Sequence, residues 1–261
     1  MRNDDGMELG PVSRMSPGER LLVDVLEETR FPEMVLYREV DMTAAEAFRR
    51  SPGAGVTIVT LVVKAAALAL GVEPALRRIP GGKRLIEPST TDVSLSVAAS
   101  GNVSPMILIQ RADTLGLEEL GREIGRKAKE AREKETATEK LVERAGKILF
   151  YGPLRRSLVR MGMGVPEVLR HVGGSVQIST IPLGIDFAFS TRQCTPVFVS
   201  FGQLKARPFV VEGEVKTRTT MIVGVSVDGR VGGPGSAARY TTELARLLEH
   251  PRTLETGVPK E

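Results

Sequence analysis

Side chains that could take up a proton or attack a carbonyl near neutral pH are scarce in this chain. Among 261 residues there are two histidines, His171 and His250, and one cysteine, Cys194. Imidazole is the side chain that titrates near pH 7, and a thiol ionises only slightly higher, so a base or nucleophile is sought there first. Neither histidine sits in a motif, and each reads as an ordinary surface or packing residue. Cys194, in a loop before Pro196, reads as a small apolar residue. So few donors leave a His/Cys zinc site without a ligand set. Val227-Asp228-Gly229-Arg230-Val231 taken alone reads as an Asp-Gly hairpin turn, and residues 232–235 as a flexible linker into a helix. Two groups of cations stand beside apolar residues. Lys64 is the only charge in TIVTLVVKAAALALG and is expected to snorkel to the rim. Arg155, Arg156 and Arg160 flank Leu154, Leu158 and Val159. They read as a surface helix packing on one side, with a membrane-surface or phosphate-binding face as the functional alternative.

The elements that would carry these residues follow from periodicity. Ser16-Pro17 opens a helix with Ser16 as N-cap and Glu19 as the box acid. Residues 34–42 form a strand, and Thr43 caps a short helix ending near Ser51. Residues 57–71 are apolar all round, which predicts a buried helix. Residues 92–99 alternate and pair as a hairpin with residues 103–110. A long helical stretch follows over residues 114–148. Its pairs Glu118/Arg122, Glu123/Lys127 and Glu130/Lys134 have the favourable i,i+4 order of a solvated face. Residues 153–172 give two short helical pieces broken at 162–164. From residue 173 the pattern turns to β: 175–180, 196–201, 208–212 and 215–228, with a turn at Glu212-Gly213. A closing helix spans 235–250, with Leu244, Leu247 and Leu248 on one face. The class is α/β.

Composition narrows the function. A hydrophobic content of 41% supports a real core, and the net charge of +4 comes from interleaved charges. Aromatic residues make up 4% with no Trp, too few for base-stacking platforms, so no nucleic-acid partner is expected. No apolar run is long enough to span a membrane, and no signal peptide is expected at the start of the chain. One cysteine suits a reducing cytoplasm, which is the expected location.

Read in order, several segments resemble the catalytic core of the dihydrolipoyl acyltransferases of the 2-oxo-acid dehydrogenase complexes. GGSVQIST (173–180) is similar to the family's glycine-led strand ending Ile-Ser-Asn. CTPVFVSFGQLKARPFVVEGEVKTRTTMIVGVSVDGR (194–230) follows its proline, apolar strand, basic-proline step, hairpin and long strand ending Asp-His-Arg. GSAARYTTELARLLEHP (235–251) is similar to its closing helix. EVDMT (39–43), TIVTLVVKAAALAL (57–70) and SPMILIQRADTLGLEELGREI (104–124) match upstream landmarks. The resemblance covers residues 16–254. It implies a chloramphenicol acetyltransferase-like fold, a two-layer mixed sheet with flanking helices. It also implies a free-standing core without lipoyl or subunit-binding domains, between a flexible lead-in (1–15) and a C-terminal tail (255–261).

The family's chemistry needs a base to deprotonate the acceptor and a donor to stabilise the oxyanion. The resemblance places the oxyanion-donating serine at Ser179. Asp228 and Arg230 keep the identities of Asp-His-Arg, while Gly229 occupies the histidine position. Gly233 stands at the later Asp/Asn position, with Pro234 after it. The expectation is therefore a core without its general base, acting as a homotrimeric assembly or as a scaffold for an acyl thioester. The ligand expected is coenzyme A or a pantetheine thioester, with no covalently bound cofactor. The alternative is an active coenzyme-A-dependent acyltransferase that uses Ser179 with a substitute base. An unrelated binding module using the 155–160 arginines is a third reading. The tail RTLETGVPKE holds one leucine, Leu254, so a free trimer is favoured over a larger cage.

Overall fold

In the computed structural model, residues 16–256 are described except 19, 22, 23, 25–32, 52–54, 82, 83, 98–103, 181–183 and 190–194. The expected lead-in, Glu19 and Cys194 lie outside the described residues. β-Branched runs build one mixed sheet from β1 (Glu33–Asp41), β4 (Val93–Ser96), β5 (Met106–Ile109), β6 (Val176–Thr180), β7 (Val197–Phe201), β8 (Lys205–Val211) and β9 (Glu214–Asp228). The order is β1-β9-β7-β6-β4-β5, with β8 paired to the first half of β9. β6 runs parallel to both β4 and β7, and the other pairs are antiparallel. β2 (Ile79–Gly81) and β3 (Arg84–Ile86) form a separate small ribbon. The β8–β9 turn at Glu212-Gly213 has φ of 54° and 82°, the left-handed pair that a two-residue turn between twisted strands requires.

The sheet positions two unlike faces. Val176, Ile178, Val197, Val199, Val223, Val225 and Val227 point to the inner face and are buried. Against it lie α2 (Ile58–Ala69) and α7 (Pro234–Glu249), with Tyr240 donating its hydroxyl to the Ala66 carbonyl at 3.1 Å. Burial pushes the Tyr240 phenol far above its ordinary value, so it stays a neutral donor. Each fully buried leucine here, such as Leu61 or Leu244, contributes about 1.5–3 kcal/mol of transfer free energy. α1 (Thr43–Arg50) precedes this layer. The helical stretch of 117–148 is broken at Lys134 into α3 (Leu117–Glu133) and α4 (Glu135–Ile148). α5 (Gly152–Met163) and α6 (Pro166–Gly173) follow, and α8 (Thr253–Thr256) closes the described chain, with Leu254 buried.

Four local expectations are corrected. Thr43 is the first helical residue of α1 and Met42 its N-cap, and the Thr43 N–H donates to Asp41 Oδ1 at 2.9 Å. Lys64 does not reach the rim. It is 3% exposed, and its ammonium donates to the carbonyls of Asp113 at 2.7 Å and Leu115 at 2.6 Å. Glu130 pairs with Arg126 at 2.6 Å rather than with Lys134, which sits at the break between α3 and α4. Arg155 is buried and pairs with Asp24, which also holds Arg156 at 3.0 Å.

Candidate active site

β9 ends at Asp228, and the chain turns directly into α7. The Asp-Gly hairpin reading is therefore corrected: no strand follows, and Gly233 is the N-cap of α7 with Pro234 in its first turn. Asp228 is 3% exposed, and its carboxylate draws the turn in. Oδ1 accepts the Arg230 N–H at 2.9 Å, an Asx turn, and the Arg230 guanidinium grips both oxygens, Nη2 to Oδ2 at 2.6 Å. The Val231 N–H donates to the Asp228 carbonyl at 3.0 Å. Asp228 and Arg230 thus form a clamp on either side of Gly229, which is exposed.

The glycines of this turn differ in what they require. Gly232 packs on Leu76, and a Cβ there would meet Leu76 Cδ2 at 2.3 Å. At Gly233 a Cβ would find nothing within 4 Å, and its φ of −87° suits any residue. Gly229 is not among the described residues of positive φ. Backbone geometry therefore demands glycine at neither Gly229 nor Gly233.

Ser179 is half-buried near the end of β6. Register and alternation put it on the same outer face as Asp228. Ser179 pairs with Ser200, which pairs with Gly224, and Gly224, Ser226 and Asp228 follow one another at every second position of β9. Along the strands, however, the two lie at opposite ends. Val176, Val197 and Val227 are in register, so Ser179 and Gly229 diverge by about five residues, roughly 17 Å. One chain does not bring Ser179 to Gly229.

Glu33 is a group that residue order did not reveal. It is the β1 partner of Asp228 in the sheet register and lies 3.3 Å from Ser226 Oγ. Burial, outweighing the Ser226 hydrogen bond and helped by the Asp228 charge, raises its pKa above the usual carboxylate range. Only the cross-strand register could have shown it. Phe187 lies over Gly224, where a Cβ would meet its ring at 2.3 Å, and stacks edge-on with Tyr37 at 5.3 Å.

The histidines lie elsewhere. His250 is exposed at the C-cap of α7, which has 16 residues and so spans about 24 Å from the Gly233 end. His171 is exposed, with Nδ1 2.7 Å from the Glu167 carbonyl, beside a cavity of about 230 Å³ lined by Asp92, Leu108, Gln110 and Arg170. Among the described residues no cluster of three His, Cys, Asp or Glu could hold a metal ion, and no helix is long and apolar enough to cross a membrane.

A mixed sheet carries α2 and α7 on its inner face, with Ser179 and the Asp228–Arg230 turn at opposite ends of the outer face. The sequence profile of the 2-oxoacid dehydrogenases acyltransferase (catalytic domain) family matches residues 13–148 and 196–256, and the chain belongs to that family. Among solved structures, the dihydrolipoamide acetyltransferase of Azotobacter vinelandii aligns with a TM-score of 0.71 at 21% identity, covering 96% of each chain. That enzyme's catalytic mechanism has been examined through a serine, a histidine and an asparagine, the last two four residues apart. The cubic core of a pyruvate dehydrogenase multienzyme complex aligns with a TM-score of 0.70 at 21% identity and 96% coverage of both chains. A chloramphenicol acetyltransferase aligns at 0.52 and 13% identity, covering 90% of this chain and 96% of that one. No curated protein matches the sequence.

Proposed function

We propose that the protein is an acyltransferase core without a general base. It assembles as a homotrimer and binds an acyl thioester of coenzyme A or pantetheine without turning it over. The observation that carries this reading is Gly229. The clamp between Asp228 and Arg230 is complete, yet the residue it presents has no side chain to accept a proton. The histidine and asparagine of the Azotobacter enzyme are spaced as Gly229 and Gly233 are, and this chain has glycine at both. Removal of general-base catalysis lowers rates by about 10² to 10⁴. The trimer is supported by the register. A site using both Ser179 and position 229 needs the serine of one copy and the turn of another. Residues 16–254 form the core in this reading, the free trimer is favoured over a cage, and the compartment is cytoplasmic.

The test is acyl transfer from acetyl-coenzyme A to a panel of thiols and alcohols, with light scattering for the assembly. Background rates, raised by Gly229→His and further by adding Gly233→Asn, are the expected result. Turnover well above background that is lost on Ser179→Ala would overturn it and establish an active enzyme. In that case loss of activity in Glu33→Gln would identify the substitute base.

A further inference from the structure

Nine of the fifteen large hydrophobic side chains most exposed on the described surface fall within residues 141–172, so the apolar exposure is concentrated rather than scattered. Ile148 and Phe150 are 77% and 78% exposed at the end of α4. Tyr151, Leu154, Leu158 and Met161 continue along α5 at helical spacing, all exposed, and form one stripe. The opposite attachment is fixed: Arg155 reaches inward to the buried Asp24 and donates to the Leu149 carbonyl at 3.1 Å. The helix is thus held on the body by a buried ion pair with its apolar stripe turned to solvent.

Charge identifies what this face fits. Residues 144–166 contain five basic residues, Arg144, Lys147, Arg155, Arg156 and Arg160, and no acidic one. Arg155 and Arg156 already pair with Asp24, which leaves the exposed Arg144, Lys147 and Arg160 as the cations a partner would meet. Two copies meeting face to face here would bring like charges together, whereas a contact with a different face of another copy would show itself in the assembly mass. The family match also stops at residue 148 and resumes at 196, so α5 and α6 lie outside the matched residues. An anionic lipid surface satisfies both features, taking the apolar stripe at its acyl boundary and the cations at its headgroups. We propose that residues 148–161 dock the protein on negatively charged membranes, independently of whether its acyltransferase site turns over.

The test uses the full chain in co-sedimentation with vesicles of phosphatidylcholine, alone or mixed equally with phosphatidylglycerol. Binding is expected only to the mixed vesicles, weakening as salt is raised. Lys147→Gln and Arg160→Gln are each expected to weaken it about five-fold. Leu154→Glu combined with Leu158→Glu is expected to abolish it. Both leucines are exposed, so circular dichroism of that variant should match the parent. The absence of binding to mixed vesicles, or undiminished binding by the double variant, overturns the proposal. So does a fall in assembly mass in the double variant, which would make this face a contact between copies.

Discussion

α2 and α5 are both twelve residues long, and each buries one cation, but they sit in the protein in opposite ways. Ten residues of α2 are buried, while α5 buries only Arg155 among its own. α2 holds its place by apolar contact on every side. Its lysine is tolerated because the chain at residues 112–115 turns three carbonyls toward it, and burial lowers the Lys64 pKa despite the nearby Asp113 charge. α5 has little apolar contact with the body and is held by a carboxylate instead. Burial pushes the Asp24 carboxyl up, but the hydrogen bonds and charges of Arg155 and Arg156 outweigh it and leave the group below its usual range. A buried lysine can shed its charge, whereas an arginine cannot, so the arginine requires a counter-ion. One helix is core and the other an appendage, and the way each cation is satisfied follows from that.

The comparison breaks most readily at the ion pair. Asp24→Ala leaves Arg155 buried without its partner and should cost about 3–5 kcal/mol in urea unfolding. Arg155→Met in the same chain should recover most of that loss. Because the Asp24 pKa is depressed on folding, its contribution is complete above about pH 4 and is lost as the pH falls through the folded value. An acid titration of stability should show that loss in the parent and not in Asp24→Ala. In α2, Leu61→Ala should cost about 2–5 kcal/mol in the same assay, because it opens a cavity in a closed core.

Lys64→Met should cost about 1–3 kcal/mol by leaving carbonyls without a donor. The sign of its pH effect is opposite to that of Asp24. With the folded pKa of Lys64 lowered, the unfolded chain binds more protons, so stability rises with pH between the folded value and about 10.4. Lys64→Met should flatten that alkaline rise. The smallest effect is expected on α5, where Leu154→Ser should change stability by less than about 0.5 kcal/mol because the side chain is already in water. A large loss there would show that α5 is covered after all.

Much of this was legible in the residues. The alternation of residues 215–228, the positive-φ pair at Glu212-Gly213 and the leucines of α7 each report a local geometry, and local geometry is written in adjacent side chains. The order of motifs likewise carried the family. Less legible were pairings over long separations. Asp24 lies 131 residues from Arg155, and the carbonyl acceptors of Lys64 lie 48 to 51 residues away. Backbone carbonyls have no residue type, so nothing in the string marks them as a lysine's partners.

The sequence alone determined that Ser179, Asp228 and Arg230 are present, that position 229 holds no base, and where most of the longer helices and strands run, though not the β2–β3 ribbon or the break at Lys134. Tertiary structure decided that Ser179 and Asp228 share one face yet stand at opposite ends of it, that Glu33 sits beside Asp228, and that α5 turns its apolar stripe outward. The reason is physical. Composition and period depend on neighbours along the chain, whereas strand register and the burial of a charge depend on which distant segment folds against them.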